Sequence, residues 1–279
     1  MYDTHMTLMS LVLATALAPV KFDLAADVDS RITGCEPASA LSRFVGYPGK
    51  AASDCFVINT NFWLRGIDFS CVSPWNSGGG VLRAGTAISK RHIVFAKHFP
   101  LWKGVRIVFV GEDGGVCPCR IEATKWITGT DIMVGLLDAE LTPNIRPAKI
   151  LPDDFRMWIG QGGGLPVITF NRKEQAMVNT LSYLPDASAS SHIVMCAKPS
   201  DERRSRFRED IAVGDSGNPV FLLIGDEPVL LFCLYGVGIG GGNGFALHCY
   251  RREIQTAMDE LCPGYKLECF DFSKVGNGK

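Results

Sequence analysis

The sequence lacks an excess of charge of either sign and lacks any apolar run long enough to cross a membrane. Its 279 residues include 28 Lys and Arg and 29 Asp and Glu, which leaves a net charge of −1. Proteins that bind nucleic acid usually carry a basic excess, so we expect no nucleic-acid partner. Every apolar run after residues 8–18 is broken by a charged residue, Gly or Pro within about 12 residues. A helix that spans a membrane needs about 20, so we expect no stable membrane association.

The spacings typical of metal and nucleotide sites are also missing. Among the ten cysteines only Cys117 and Cys119 lie close together, and neither their spacing nor a nearby His suits zinc. A G-x-G-x-x-G motif begins at Gly236, but residues 245–250 after it predict a strand, whereas a dinucleotide site needs a helix there. We therefore expect no metal and no cofactor.

The N-terminal part of the chain predicts a leader. Residues 8–18 form an apolar run of the length of a signal-peptide core, ending in small residues, although no Lys or Arg precedes it. Ten cysteines are many for a reducing compartment, although a chain of this length needs no disulfide scaffold, and Cys196 and Cys233 are typical of buried thiols. We expect a secreted or periplasmic protein with disulfide bonds, whose pairing the sequence does not determine. Residues 1–40 are assigned to a leader and an extension.

From about residue 53 onward the chain has the pattern of an all-β protein. Short runs rich in Val, Ile and Phe are bounded by Gly, Pro, Asn or Asp and predict strands, for example at residues 105–110, 165–170 and 220–224. Helical periodicity is clear only at residues 251–261. Many short strands followed by one C-terminal helix indicate a barrel or a sandwich.

Residues 214–219 (GDSGNP) have the composition of a turn that presents a nucleophile. A serine hydroxyl needs a base within hydrogen-bond reach and amide donors aimed at the oxyanion. Gly214 lets the backbone turn so that its amide and that of Ser216 converge, and Gly217 leaves room for a substrate. The G-x-S-x-G elbow of α/β-hydrolases is excluded because Asn218 takes the place of its second glycine.

The base for such a serine is a histidine, and the sequence has five: His5, His92, His98, His192 and His248. His5 lies in the leader, and His192 and His248 lie in strand-like runs that favour a structural role. In residues 85–99 a strand, a turn and a second apolar strand place His98 at a strand end. A histidine in that place can point into a cleft.

Three motifs together resemble the chymotrypsin/trypsin family of serine peptidases. Residues 85–99 (GTAISKRHIVFAKHF) are similar to the family's G-T-x-I-S-x-x-H-V-x-T-A-A-H-C segment. Residues 130–137 resemble D-I-A-L-L-x-L, and the stretch around Ser216 resembles G-D-S-G-G-P. The resemblance implies that Ser216 is the nucleophile, His98 the general base and Asp131 the carboxylate that orients it.

The same resemblance implies a fold, a domain and an activity. It covers roughly residues 53–262 and implies two six-stranded antiparallel β-barrels with a C-terminal helix, the site lying in the cleft between the barrels. We assign residues 41–270 to the peptidase domain, with the barrels divided near 140–160, and residues 271–279 to a tail. The implied protein is a monomeric serine endopeptidase acting on protein or peptide substrates through an acyl-enzyme. An inactive homologue that binds peptides in the same cleft is the alternative.

The resemblance further implies an oxyanion hole and substrate contacts. The amides of Gly214 and Ser216 form the hole. Asp210 stands where trypsin-like members hold a buried carboxylate that selects Arg or Lys at P1, the residue before the scissile bond, or else it belongs to a charged surface loop. Tyr235 and Gly236 match the strand that pairs with the substrate backbone.

The chain also departs from the family. Phe99 and Ala212 stand where many members have cysteines, so the family's disulfides cannot be carried over. Lys97 adjoins His98, and a cation aimed at the base would lower its pKa, so we expect Lys97 to point away. Residues 31–34 (RITG) resemble the zymogen junction, whose new amine would pair with Asp215, and residues 43–46 are a competing match.

Overall fold

The computed structural model describes residues 22–46, 56–74, 83–160, 162–238 and 241–277. These residues form a mostly β-sheet protein with a C-terminal helix, which confirms the predicted all-β class. The apolar run at residues 8–18 and Cys55 lie outside them. Within the described part, no helix combines the length and the apolar character that a membrane span requires.

The N-terminal part of the described chain packs against the sheets. It contains two helices and a two-stranded sheet: α1 (Leu24–Ile32), α2 (Pro37–Ala40), β1 (Phe44–Gly46) and β2 (Val57–Ile58). Helix α1 turns one face inward and buries Leu24, Val28 and Ile32. Residues 24–40 therefore belong to the packed structure, although the sequence places residues 1–40 in a leader and extension.

A five-stranded antiparallel sheet follows. Its strands are β3 (Thr86–Ala87), β4 (His92–Ala96), β5 (Arg106–Val110), β6 (Val116–Trp126) and β7 (Ile132–Leu137). Their spatial order is β3-β4-β7-β6-β5. Ala96 at the end of β4 lies opposite Ile132 at the start of β7, so the residues just beyond these two strand ends are brought together.

An eight-stranded sheet forms the second half. Its strands are β8 (Lys149–Ile150), β9 (Pro166–Phe170), β10 (Ala176–Leu181), β11 (Ile193–Ala197), β12 (Pro219–Ile224), β13 (Glu227–Cys233), β14 (Gly236–Gly238) and β15 (Gly241–Phe245). The order is β14-β15-β11-β10-β9-β12-β13-β8, with β8 parallel to β13 and the other neighbours antiparallel. Two short helices lie in its connections: α3 (Arg156–Ile159) and α4 (Glu202–Arg206).

The C-terminal helix joins the two sheets. Helix α5 (Arg251–Leu261) has the predicted bounds and follows a 3-10 turn at Leu247–Tyr250, while a second such turn spans Phe272–Asn277. The helix buries Ile254 and Met258 and contacts β6 and β7 of the five-stranded sheet, although the chain reaches it from the eight-stranded sheet. Burial of this apolar face holds the halves together.

Aromatic side chains fill the core between the sheets. The ring of Phe69 packs edge-on against Phe170 of β9 and Phe221 of β12, with ring centroids 5.0 and 5.5 Å away. Phe95 of β4 belongs to the same buried cluster. Large aromatic rings contribute much of the stabilisation of a core, so this cluster fixes one sheet against the other.

A buried carboxyl group lies in the turn between β9 and β10. Glu174 is fully buried, and neither of its carboxyl oxygens has a hydrogen-bond partner among the described residues. Burial raises the pKa of Glu174 to about 8, against the opposing attraction of the buried Arg43 guanidinium. The group is therefore mostly protonated at neutral pH, because an ionised carboxylate would be poorly solvated there.

This carboxyl group predicts a loss of stability at alkaline pH. In the unfolded chain it ionises near pH 4.5, so its contribution to the free energy of unfolding is intact below that pH and is lost as the pH rises towards 8. Between pH 6.5 and 8, wild type should lose about 2 kcal/mol relative to Glu174→Gln. Denaturant unfolding of both proteins at each pH measures this difference.

The pH window and a second variant make the measurement specific. Burial lowers the pKa of His92 to about 4, so the pH range in which its titration changes the stability lies below pH 6.5. Glu209→Gln is the matched control, because Glu209 is partly exposed and pairs with Lys173 of the same turn, 2.8 Å away. Equal pH dependence in wild type and Glu174→Gln would show that Glu174 is ionised in the folded protein.

Candidate active site

The three side chains that the sequence predicts as a triad lie in hydrogen-bond contact. His98 Nε2 is 2.9 Å from Ser216 Oγ, and His98 Nδ1 is 2.7 Å from Asp131 Oδ2. The backbone amide of His98 donates to the other carboxylate oxygen, Asp131 Oδ1, at 2.9 Å. The structure thus brings together groups that are separated by 33 and 118 positions from His98 along the chain.

The five-stranded sheet positions the histidine and the aspartate. His98 comes just after β4, and Asp131 comes just before β7, its antiparallel neighbour. The amide of Lys97 donates to the Asp131 carbonyl at 2.8 Å, which extends the ladder by one step. The carboxylate is nearly buried, with 9% of its side chain exposed, whereas 42% of the His98 side chain is exposed. A shielded acid behind an accessible imidazole can orient the ring without reaching the substrate itself.

The serine sits in a turn that requires two glycines. Gly214 and Gly217 have φ of 99° and 86°, in the left-handed region that favours glycine. The amide of Gly217 donates to the Leu234 carbonyl at 2.8 Å, and the amide of Leu234 donates to the Asn218 carbonyl at 2.8 Å. These bonds tie the turn to the chain just beyond β13.

The amides beside the serine are available as donors. Within the described residues, neither the Gly214 nor the Ser216 backbone N–H donates to an acceptor. Two free amides that flank a nucleophile are suited to an oxyanion, because they need no rearrangement when its charge develops. They are the two amides that the sequence predicts for this role.

Asp215 holds the turn from behind. It is buried, and its Oδ1 accepts from the Arg172 amide at 2.9 Å while its Oδ2 accepts from the Ala212 amide at 2.8 Å. Ile32, whose amine would pair with Asp215 after cleavage of a zymogen junction, is buried at the end of α1. Both carboxylate oxygens of Asp215 therefore have donors while the chain is uncut.

Aromatic side chains frame the histidine. The ring of Tyr235 meets the His98 ring edge-on at 5.7 Å between centroids, and Phe99 stacks on it at 6.4 Å. Lys97 points away, as expected, with its Nζ 3.5 Å from the centroid of the Trp126 ring. Gly236 begins β14, which is an edge strand of the eight-stranded sheet, directly after Tyr235.

Asp210 lies beside a cavity, but its carboxylate is not the buried group that the resemblance implies. The cavity holds about 260 Å³ and is lined by Arg208, Asp210, Ile211, Gly238 and Gly241. The Asp210 side chain is 87% exposed, and its Oδ1 lies 2.6 Å from Arg208 Nη1. The sequence missed Arg208, because its mixed-charge surroundings are typical of a solvated loop, yet only 5% of its side chain is exposed.

His248 and the cysteines of the described part of the chain have structural surroundings. His248 is buried with Nε2 2.8 Å from the Pro185 carbonyl, and burial lowers its pKa. The nine described cysteines are all free thiols, so no disulfide joins them. Cys196 is buried, as predicted, whereas Cys233 is partly exposed. Desolvation of its thiol, together with the nearby Asp131 charge, raises the pKa of Cys233 to about 12.

Searches of protein-family models and of curated proteins find no match to this chain. The arrangement itself defines the chemistry that is available. A hydroxyl oxygen in contact with an imidazole, an imidazole in contact with a shielded carboxylate, and two free amides beside the hydroxyl together suit acyl transfer.

Proposed function

We propose that the chain is a trypsin-like serine endopeptidase that cleaves peptide bonds through Ser216, His98 and Asp131. The observation that carries the proposal is the continuous contact from Asp131 Oδ2 to His98 Nδ1 and from His98 Nε2 to Ser216 Oγ, at 2.7 and 2.9 Å. These separations allow direct proton transfer between hydroxyl and imidazole.

The reaction follows from the positions of these groups. Ser216 Oγ attacks the scissile carbonyl carbon while His98 Nε2 takes the hydroxyl proton, and Asp131 stabilises the imidazolium that forms. The Gly214 and Ser216 amides donate to the oxyanion of the tetrahedral intermediate. His98 then protonates the leaving amine as the C–N bond breaks, which leaves an acyl-enzyme. Water attacks this ester by the same route in reverse and frees Ser216.

The edge strand β14 suits a peptide substrate. An extended segment can add to the free edge of a sheet through backbone hydrogen bonds. Strand β14 begins at Gly236 beside Tyr235 and His98, so a peptide paired with it would pass the nucleophile. We propose that the two sheets form the halves of a two-barrel peptidase, with the catalytic groups at their junction. In this proposal the protein is a monomer outside the cytoplasm, and its substrates are proteins or peptides.

The proposal predicts that a fluorophosphonate probe labels Ser216 in a chain that has not been cut after Arg31. Asp215 already receives two backbone donors, so no new N-terminus is needed to shape the turn. Peptide mass spectrometry of the labelled protein identifies the modified residue. Arg31→Gln, which removes the candidate cleavage point, should be labelled at the wild-type rate.

Ser89→Ala is the matched control for this labelling. Ser89 Oγ lies 2.8 Å from His92 Nδ1, so the protein has a second Ser–His contact, but both residues are buried. The variant should be labelled like wild type. Labelling only after cleavage at Arg31 would contradict the role given to Asp215. No labelling of either form would contradict the peptidase and favour the inactive, peptide-binding homologue.

A further inference from the structure

A cavity is formed by the chain that leads into the nucleophile turn, and Ile211 in its lining meets Gly242 close to Leu234, which accepts from the Gly217 amide of the turn. One wall is formed by Asp210 and Ile211, which precede Ser216 by six and five positions, and the other by the glycines of the β14–β15 hairpin. A Cβ at Gly238 would meet nothing within 4 Å, whereas one at Gly241 would meet the Cys196 carbonyl, so this wall is open at Gly238. A peptide added to β14 with its carbonyl at Ser216 would direct one side chain between these walls.

A fixed cation lines this cavity. Arg208 Nε donates to Asn179 Oδ1 at 2.9 Å, and Asn179 Nδ2 donates to Thr169 Oγ1 at 2.7 Å. Asn179 and Thr169 are fully buried on adjacent strands β10 and β9. Arg208 is thus held from inside the sheet, and a buried hydrogen-bond network directs its guanidinium.

The carboxylate in the cavity is held far less firmly. Asp210 is 87% exposed and contacts Arg208 through one oxygen. Glu209, the acid between these two residues, pairs instead with Lys173 at 2.8 Å and is not part of the lining. The described lining therefore combines a cation that is held from inside the sheet with an exposed anion.

The two charges respond differently to a charged substrate. An acidic P1 side chain can take the place of Asp210 on Arg208, and Asp210 then returns to water at little cost, since exposed ion pairs are weak. A basic P1 side chain would have to draw Asp210 away from Arg208, which would deprive a nearly buried guanidinium of this carboxylate. Taking a carboxylate away from a shielded cation is unfavourable.

We propose that Arg208 determines specificity and that the cavity selects an acidic side chain, Glu or Asp, at P1. This rests on the proposed peptidase function and replaces the Arg or Lys preference that Asp210 would confer if it were buried and unpaired. Arg208 binds the P1 carboxylate by a charge-assisted hydrogen bond, and Asp210 occupies its place in the absence of substrate.

The test uses p-nitroanilide peptides that differ only at P1, carrying Glu, Gln or Arg. For wild type, kcat/KM should be about tenfold or more higher for Glu than for its isostere Gln, and lowest for Arg. Asp210→Asn should raise the Glu-to-Gln ratio several-fold, because the competing carboxylate is gone. Arg208→Gln should reduce that ratio to about one.

Fluorophosphonate labelling of each protein separates the possible failures. Absence of label on wild-type Ser216 would refute the peptidase function, and the specificity with it. Wild-type labelling combined with a preference for Arg, or with equal turnover of Glu and Gln, would overturn the specificity alone. If Arg208→Gln does not fold, the P1 preference of wild type and of Asp210→Asn still tests the proposal. Asp210→Asn should fold, because the Asp210 side chain is exposed. An unchanged or lowered Glu-to-Gln ratio in Asp210→Asn would also overturn the proposal.

Discussion

Replacing Ser216 with Ala is expected to lower kcat for peptide hydrolysis by a factor on the order of 10⁶, with little change in KM. The reason is that in the proposed mechanism Ser216 Oγ attacks the carbonyl, and this atom lies 2.9 Å from His98 Nε2. In the proposed mode of binding, the substrate is held by β14 and the neighbouring cavity and does not need the hydroxyl. Steady-state kinetics on one peptide substrate measure both constants.

The double variant tests whether the hydroxyl and the imidazole act as a unit. Ser216→Ala/His98→Ala should lose no more activity than either single variant, because each change alone already removes the nucleophilic route. Losses that multiply would show that the two residues contribute independently, and the contact between them would then have no catalytic meaning. A circular dichroism spectrum equal to that of wild type shows that each variant is folded.

Replacing Asp131 with Asn is expected to lower kcat by about 10⁴-fold while the protein keeps its fold. The Asp131 carboxylate accepts from His98 Nδ1, which leaves Nε2 free to take the Ser216 proton. An amide can donate to Nδ1 instead, and the ring then carries its hydrogen on Nε2, where it cannot act as a base. Steady-state kcat on the same peptide measures the loss.

Asp138→Asn provides the matched control for this change. Asp138 follows the other end of β7, is exposed, and accepts from the Arg120 amide at 2.7 Å. Its replacement should change kcat less than twofold. If Asp131→Asn kept activity within tenfold of wild type, the shielded carboxylate would be a structural group, and the triad assignment would be wrong.

Local pattern determined much of the architecture and of the site. Apolar runs bounded by turn residues predicted the all-β class, and the apolar spacing over residues 251–261 predicted helix α5 with its observed bounds. Both depend on interactions between near neighbours in sequence, which a pattern records directly. The resemblance of three motifs to the chymotrypsin/trypsin family predicted that the side chains of His98, Asp131 and Ser216 meet.

Local patterns did not predict the surroundings of charged side chains that depend on segments distant in sequence. The sequence left open whether Asp210 selects the P1 side chain or belongs to a charged surface loop. The structure pairs Asp210 with Arg208, which Asn179 of strand β10 holds in place. The position of Arg208 depends on the packing of strand β10 against the loop that contains Arg208 and Asp210. A local sequence pattern does not contain this information. Burial of Arg208 likewise follows from the layers packed over it, since a run of alternating charges is by itself most compatible with water.

The sequence by itself determined the β-class and the C-terminal helix, since both rest on short-range pattern. It also gave the identity of the three contacting side chains, through the resemblance of their motifs to a known family. Only the tertiary structure decided how the site is supported. It gave Asp215 two backbone amides in place of a new N-terminus, buried α1 against the sheets, and set Arg208 beside the cavity. These features depend on which distant segments pack together, because a hydrogen bond or an ion pair is decided by distance in space and not by separation along the chain.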